Sequence, residues 1–513
     1  MTSSRLTPIA VETRAASTAT PIAIQPSPSP SILSAFLIGI DGIRVAEPFT
    51  LTAYLQDYAG LWSPAYDEMV GFLKSSPEQA GIYLATSPGF DLHPVDLSQP
   101  GLDLFDPAFS WSTDGRHILF AAPGLLMDGS LWRVDRKGQN PRPLLPGEAD
   151  RQWMRFAGWL DERSVAALSY SGGGHVGISI IDFLGGKIQA WVHAVHDPLV
   201  FTPNREYVPV AEEYGRFRLL VMARQPQSDP YDNLDSPYVR AIPREAVDVF
   251  LPDASTVFLD WLPGTNRMLV LAFTELTGDL VPETARLLSW NVDTDEILDL
   301  APDGIDGQYS PDGRWLAVVA LGEQLVEAGS LALPAPEPIL PGRRPYLYLL
   351  DAASGQVALS LPVVSLPQSP EEVAPYPNYV SRLAFSPDGR YLAFLTPGVL
   401  QQDEQGWPTG LAQDSDSPFY LNILDLQTRQ LVQSFPSAKQ VPLWSPDNNR
   451  LLFRDPDPRW TLYDLRTGSR LPLLQAGDQQ VARAEWSHSG RFLAFYIDVD
   501  EQRTHTAIIM LPE

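Results

Sequence analysis

A ten-residue phrase returns along this chain. It reads "FSPDGRYLAF" at 385–394, "YSPDGRWLAV" at 309–318 and "WSPDNNRLLF" at 444–453, with looser copies "WSTDGRHILF" at 111–120 and "WSHSGRFLAF" at 486–495. A catalytic motif is needed once per active site, whereas an architectural unit is needed in every repeat. A phrase that occurs five times therefore predicts repeated architecture.

Each copy has the pattern of an antiparallel hairpin. In 385–394 the aromatic Phe385 ends one strand, Ser-Pro-Asp-Gly makes a turn, and the chain returns as Tyr-Leu-Ala-Phe. Asp bonds back to the backbone and Gly adopts a left-handed conformation in such turns. Asp388, Asp312 and Asp114 are therefore interpreted as turn-builders, and the two apolar faces of the return strand predict that sheets cover it on both sides.

Weaker copies begin at Trp62, Trp159, Phe201 and Trp261, which brings the number of units to nine, at a mean spacing of about 53 residues. Most hairpins are followed by an apolar strand that ends in Asp and a polar turn, as in "YLYLLDAASG" and "YLNILDLQTR". Four antiparallel strands that recur in this way are typical of a propeller blade.

We therefore predict an all-β fold: a single β-propeller of about eight or nine four-stranded antiparallel blades. The last unit has only three strands, and "FTLTAYL" at 49–55 can supply the fourth and close the ring. Two smaller rings are the alternative, although they need two closures.

The F/W-S-P-D-G-R-x-L-A-F phrase resembles the repeats of TolB-like propellers, which are relatives of the WD-type repeats. The same phrase occurs in the propellers of prolyl-oligopeptidase-like peptidases. The resemblance covers roughly residues 58–513 and implies the propeller fold. It implies no single function, since this repeat serves many unrelated roles.

Composition restricts the partners and the chemistry. The 513-residue chain carries 36 Lys and Arg against 62 Asp and Glu, a formal charge of −26, which disfavours nucleic acid as a partner. There is no cysteine, so thiol catalysis, disulfides and cysteine-ligated metals are excluded. No apolar run reaches the length of a transmembrane helix.

Residues 1–33 are rich in Ser, Thr, Pro and Ala, which predicts a disordered tether before a propeller at 34–513. The sequence leaves two cellular locations open for the protein. If an export signal lies upstream of this sequence, the propeller is expected at the cell surface or in the periplasm; otherwise it is expected in the cytoplasm.

The sequence contains few patterns that are typical of catalysis. There is no G-x-S-x-G elbow, P-loop, H-E-x-x-H or dinucleotide fingerprint, and we expect no cofactor and no metal. His193, His196 and Asp197 are interpreted as a loop feature, and "NVDTDE" at 291–296 and "DVDE" at 498–501 as hairpin turns. Acidic residues at the central funnel leave glycosidase or lyase chemistry open.

Long insertions mark the expected binding face. They lie near 224–246, 321–345, 365–381 and 397–418, and three of them fall at the end of the ring opposite the Pro-Asp-Gly turns. The candidate contact residues in them are Trp407, Tyr376, Tyr379, Arg343 and Arg344. The expected function is a monomeric, non-enzymatic scaffold that binds a protein or peptide. The alternative is a carbohydrate or small-ligand binder, or a hydrolase or lyase, that uses acidic residues at the funnel.

Overall fold

The computed structural model describes the blades and most of the turns that join their strands. The described residues are 44–45, 49–51, 61–74, 80–87, 89–95, 109–122, 130–145, 153–159, 163–170, 176–185, 187–193, 207–213, 217–223, 239–274, 284–321, 345–362, 365–367, 379–381, 383–396, 398–402, 408–411, 419–438, 442–457, 459–474, 481–500 and 503–511.

Two short strands, β1 (Arg44–Val45) and β2 (Phe49–Leu51), precede a series of antiparallel sheets that we number as blades. Blade 1 contains β3 (Leu61–Trp62), β4 (Glu68–Lys74), β5 (Ala80–Thr86) and β6 (Asp91–Pro94). Blade 2 contains β7 (Phe109–Trp111), β8 (His117–Ala122), β9 (Ser130–Asp135) and β10 (Arg142–Pro143). Blade 3 contains β11 (Trp153–Trp159), β12 (Ser164–Tyr170), β13 (Val176–Asp182) and β14 (Lys187–His193).

Blade 4 contains β15 (Tyr207–Glu213), β16 (Phe217–Ala223) and β17 (Val239–Ala241), followed by helix α1 (Arg244–Phe250). Blade 5 contains β18 (Ser255–Trp261), β19 (Arg267–Phe273), β20 (Ala285–Asn291) and β21 (Ile297–Pro302). Blade 6 contains β22 (Gly304–Tyr309), β23 (Trp315–Leu321), β24 (Pro345–Asp351) and β25 (Val357–Pro362). A separate pair, β26 (Ser365–Pro367) and β27 (Tyr379–Ser381), follows it.

Blade 7 contains β28 (Ala384–Phe385), β29 (Tyr391–Thr396), β32 (Tyr420–Asp425) and β33 (Gln430–Pro436), and the pair β30 (Leu400–Gln402) and β31 (Pro408–Leu411) lies between its second and third strands. Blade 8 contains β34 (Leu443–Trp444), β35 (Arg450–Arg454), β36 (Trp460–Asp464) and β37 (Ser469–Leu474). Blade 9 contains β38 (Val481–Trp486), β39 (Phe492–Asp500) and β40 (Arg503–Met510).

The described residues thus form nine blade sheets, of which seven have four strands and blade 9 has five once β1 and β2 are added. This architecture confirms the predicted β-propeller. Within the described residues blade 4 has three strands, and α1 follows the third. The buried Val247 of α1 packs with Trp261 and Trp290 of blade 5, so the helix covers apolar surface of the next blade. No helix in the described part of the chain is long and apolar enough to cross a membrane.

Strands from the beginning of the chain complete blade 9. β1 pairs antiparallel with β40, so that Arg44 lies opposite Met510, and β2 pairs with the same strand, so that Phe49 lies opposite Thr506. The prediction that the segment beginning at Phe49 supplies a strand to the last unit is confirmed for residues 49–51. Pairing of this kind covers the edge that β40 would otherwise expose.

The second strands are buried on both faces, as the apolar pattern predicted. In β29, Leu392 and Phe394 belong to a core shared with blade 6, whereas Ala393 and Leu395 belong to a core shared with blade 8. All four are at most 1% exposed. The apolar cores thus lie between blades, and a single strand contributes to two of them.

Indole groups join the first strands of neighbouring blades. Nε1 of Trp444 donates to the carbonyl oxygen of Ala384 at 2.9 Å, and Nε1 of Trp486 donates to that of Leu443 at 3.2 Å. These contacts place the first strands, which we call the inner strands, side by side around the centre of the ring.

Candidate functional site

The Pro-Asp-Gly turns are held by a buried serine. The hydroxyl of Ser386 donates to Oδ1 of Asp388 at 2.6 Å and accepts the N–H of Tyr391 at 2.9 Å. Asp388 Oδ1 also accepts the N–H of Arg390, at 3.0 Å. The interpretation of this aspartate as a turn-builder is confirmed, and the serine is a partner that sequence reasoning did not identify.

The same pattern recurs in the other copies, where the hydroxyl of Ser112 bonds Asp114 and that of Ser310 bonds Asp312. Gly389 has a φ of +72°, and a Cβ at this position would lie 2.7 Å from Cγ of Asp312 in the preceding blade. Turns of neighbouring blades are thus in contact. Their side chains hold the turns and the contacts between blades.

Strand order defines two ends of the ring. The turns between first and second strands and between third and fourth strands lie at one end, which we call the turn end. The connections between second and third strands and between blades lie at the other, which we call the insertion end. Segment 321–345 joins β23 to β24 and segment 397–418 joins β29 to β32, so both connect second to third strands.

One further segment also belongs to the insertion end. Segment 365–381 connects blade 6 to blade 7. Residues 224–238 connect β16 to β17 within blade 4, and the part of the predicted 224–246 insertion after residue 238 forms β17 and the start of α1. Three long connections therefore leave from one end of the propeller.

A hairpin projects from blade 7 at the insertion end. β30 pairs with β31, with Leu400 opposite Leu411, and the side chain of Leu400 is only 4% exposed because it packs into the core between blades 5, 6 and 7. A second hairpin, β26–β27, pairs Leu366 with Val380. The first hairpin is thus anchored on the propeller by an apolar side chain.

Buried polar groups hold the base of the β30–β31 hairpin. The hydroxyl of Thr396 donates to the carbonyl oxygen of Gly398 at 2.6 Å, and Nδ2 of Asn422 donates to that hydroxyl at 2.8 Å. Ser434 in turn donates to Oδ1 of Asn422 at 2.8 Å. Thr396 and Asn422 have no exposed surface. A satisfied buried network of this kind fixes the direction in which the hairpin leaves the blade.

The predicted contact residues lie largely outside the described part of the chain. This holds for Trp407, Tyr376, Arg343 and Arg344. The backbone of Tyr379 begins β27, where it pairs with Pro367. The structure places this one residue at the insertion end, and a role of all five in binding stays a prediction.

The inner strands of blades 5 and 6 carry two carboxylates. Asp260 of β18 accepts the N–H of Tyr309 in β22 at 2.7 Å and that of Trp261 at 2.8 Å. Burial raises the pKa of Asp260 above its ordinary value, the two backbone hydrogen bonds oppose this rise, and the negative charge of Asp306 on β22 adds to it. Asp260 therefore joins two blades and is also a carboxyl group that holds its proton more readily than usual.

A third acidic side chain lies on the inner strand of blade 9. Glu485 forms an ion pair with Arg483 and accepts a hydrogen bond from the hydroxyl of Tyr496 at 3.1 Å. Burial raises the pKa of Tyr496, which keeps this hydroxyl protonated as a donor. Sequence reasoning expected acidic residues at the funnel without naming them. The available signal was an acidic residue directly before the aromatic anchor, as in Asp260–Trp261 and Glu485–Trp486.

The acidic and histidine-containing segments singled out in the sequence lie only partly within the described residues. Asn291 Oδ1 accepts the N–H groups of Asp293 and Thr294, which confirms that "NVDTDE" is a hairpin turn. His196 and Asp197 lie outside the described residues, and His193 ends β14. Within the part of the chain that the structure describes, no three His, Asp or Glu side chains converge as metal ligands do.

Comparisons with known proteins give structural neighbours. No family model matches the chain, and no curated protein gives a significant match. The C-terminal WD40 domain of Sif2 aligns at 11% identity over 91% of this chain and 99% of that domain, with a TM-score of 0.40. An oligogalacturonate lyase from Vibrio parahaemolyticus aligns at 11% identity over 80% of this chain and 98% of the lyase, with a TM-score of 0.38.

A putative TolB from Agrobacterium tumefaciens aligns at 14% identity over 48% of this chain and 80% of that protein, with a TM-score of 0.28. Similarity at this level transfers no activity, and the fold assignment depends on the sheets described above. The chain is a β-propeller whose structural neighbours include TolB-like and WD-type propeller proteins.

Proposed function

We propose that this protein is a non-enzymatic, monomeric scaffold that binds a protein or peptide partner through the insertion end of its propeller. The observation that carries the proposal is the anchored β30–β31 hairpin. Its base is fixed by Thr396 and Asn422, and its apolar Leu400 is buried in the propeller core. A rigid scaffold that presents long connections on one side is where binding surfaces commonly develop.

The two small hairpins also suit a mode of peptide binding. In the described residues, β30–β31 and β26–β27 are sheets of two strands each, separate from the blade sheets. The outer edges of such pairs can accept an extended peptide as an additional strand, with affinity from main-chain hydrogen bonds. This mode needs neither a deep pocket nor a catalytic group.

The test begins with cross-linking mass spectrometry on native extract, with the full chain as bait, followed by dissociation constants for the purified partner. One variant replaces residues 397–418 with a short turn. A matched control replaces exposed residues Asp293 and Asp295 at the turn end with Ser and Gly, respectively. The proposal predicts that the first variant weakens binding at least about tenfold and that the control leaves it unchanged. Unchanged affinity in the first variant would contradict the proposal.

A second candidate function has its own support in the inner strands. Because Asp260 has a raised pKa and faces the charge of Asp306, this pair suits recognition of a carbohydrate or proton transfer in a hydrolase or lyase. Asp260→Asn together with Asp306→Asn would then abolish ligand binding or turnover, while removal of residues 397–418 would leave both intact. Saccharide binding measured by calorimetry on the two variants separates the two functions.

A further inference from the structure

A cleft at the turn end, between blades 8 and 9, is rich in arginine. Its volume is about 140 Å³, well above the space that one water molecule needs. Three guanidinium groups line it, in a protein whose formal charge is −26. The lining residues are Asp447, Asn449, Arg450, Arg466, Ser489, Gly490 and Arg491. We call this site the arginine cleft.

Arg450 departs from the repeat in this cleft. In the other copies the residue whose N–H bonds the turn serine has a ring, as Trp315 and Tyr391 do. In blade 8 the N–H of Arg450 makes this bond, to Ser445 at 2.9 Å. A guanidinium group thus occupies the position where blades 6 and 7 place an aromatic ring and blade 5 places Arg267, and its side chain is only 10% exposed.

The carboxylate of Asp464 lies within 4 Å of two of these guanidinium groups. Oδ2 of Asp464 lies 3.7 Å from Nε of Arg450 and 3.9 Å from Nη2 of Arg466. Oδ1 of the same carboxylate accepts the backbone N–H groups of Arg466 and Thr467. Nη1 of Arg450 donates a hydrogen bond to the carbonyl oxygen of Gly490 at 3.4 Å.

The other carboxylates around the cleft are held by the turns. Oδ1 of Asp447 accepts the hydroxyl of Ser445 and the N–H of Asn449. Burial by itself would raise the pKa of Asp447, but these hydrogen bonds and the charge of Arg450 lower it below its ordinary value. Asp67 lies behind Ser489, from which it accepts two hydrogen bonds. The lining has three positive charges against the negative charge of Asp447, and Asp464, within 4 Å of Arg450 and Arg466, adds a second negative charge.

We propose that the arginine cleft binds an oxyanion, a phosphate or a carboxylate group carried by a small ligand. Arg450 is the buried arginine of the lining, and Arg466 and Arg491 are its exposed arginines. Planar guanidinium groups bind phosphate and carboxylate through paired, charge-assisted hydrogen bonds. The site lies at the opposite end of the ring from the insertion end, and it is independent of the function proposed there.

Isothermal titration of the full chain with inorganic phosphate, glycerol phosphate and succinate tests this proposal at low ionic strength. We expect saturable binding of one ion per chain that weakens as salt is added. Binding of the phosphates alone or of succinate alone identifies the oxyanion class. The double variant Arg466→Ala/Arg491→Ala should bind at least about tenfold more weakly.

The matched control is Arg116→Ala/Arg314→Ala, which changes arginines of the same repeat at the turn end of other blades. It should bind as the unaltered protein does. Urea unfolding of both double variants verifies that the fold is retained. Absence of saturable binding for all three ions, or equal affinity in the cleft variant and the unaltered protein, would overturn the proposal.

Discussion

Ser489 donates two hydrogen bonds to Asp67, from its backbone N–H to Oδ1 at 3.1 Å and from its hydroxyl to Oδ2 at 2.7 Å, across 422 positions of sequence. The two residues belong to the turns of the last and first blades. Phe90 and Phe492 pack edge to face behind them, with ring centroids 4.9 Å apart. These contacts, together with β1 and β2, close the ring.

Asp67→Ala should lower the free energy of unfolding by about 1 kcal/mol, because it removes the acceptor of both hydrogen bonds at a partly exposed site. Urea unfolding followed by circular dichroism measures the loss. Asp91→Ala, an exposed aspartate of the same blade, is the control and should cost little. Equal losses in the two variants would show that closure does not depend on Asp67.

Truncation tests the proposed boundary between tether and propeller. We expect a chain that begins at residue 34 to unfold at the same urea concentration as the full chain. A chain that begins at residue 52 lacks β1 and β2, so the edge of β40 loses its partner. It should be less stable and associate through that edge, which size-exclusion chromatography detects. A monomeric, equally stable product would contradict this expectation.

Ser386→Ala should cost about 2 kcal/mol, because it leaves the N–H of Tyr391 without its acceptor and removes a donor to Asp388. Ser386 has no exposed surface. Ser354, an exposed turn residue that bonds Asp351, is the matched control, and Ser354→Ala should cost clearly less. Chemical unfolding of both variants measures the difference, and a smaller loss for Ser386→Ala would refute the role of the buried hydroxyl.

Asp425 should stabilise the fold in a pH-dependent way. Burial alone would raise its pKa, but hydrogen bonds from Arg390 and from the N–H groups of Thr428 and Gln427 hold it below the ordinary value of 3.8. The stabilisation is present above that value and is lost as the pH falls through the lower pKa of the folded state. The stability difference between the unaltered protein and Asp425→Asn should therefore shrink in acid. A difference that is constant with pH would contradict this mechanism.

Asp260 should change the free energy of unfolding with pH in the opposite direction to Asp425. Its pKa is raised by burial, so the folded state binds more protons than the unfolded state above pH 3.8, and the free energy of unfolding falls as the pH rises through that window. Relative to the unaltered protein, Asp260→Asn should gain stability as the pH rises. Asp306→Asn, which removes a charge that contributes to the shift, should reduce the slope. Parallel pH profiles for the unaltered protein and Asp260→Asn would be inconsistent with a raised pKa.

The repeat itself could be predicted because its interactions are local. The bonds between Ser386, Asp388 and Tyr391 join residues at most five positions apart, so the turn chemistry is visible in ten letters of sequence. The apolar alternation of residues 391–394 likewise indicated a strand buried on both sides. Even the strand at Phe49 was foreseeable, because a three-stranded last unit leaves an edge that needs a partner.

The candidate sites depend on contacts between blades, and no local pattern encodes these. Asp260 meets the N–H of Tyr309 across 49 positions, and Arg450 reaches the carbonyl oxygen of Gly490 across 40. Each pair forms only because the ring brings the first strands and turns of neighbouring blades together. By itself, then, the sequence determined the blade and its turns through short-range hydrogen bonds and alternation. Only the tertiary structure decided which carboxylates face one another, which arginines share a cleft and which blade α1 covers, since these depend on how the blades pack around the ring.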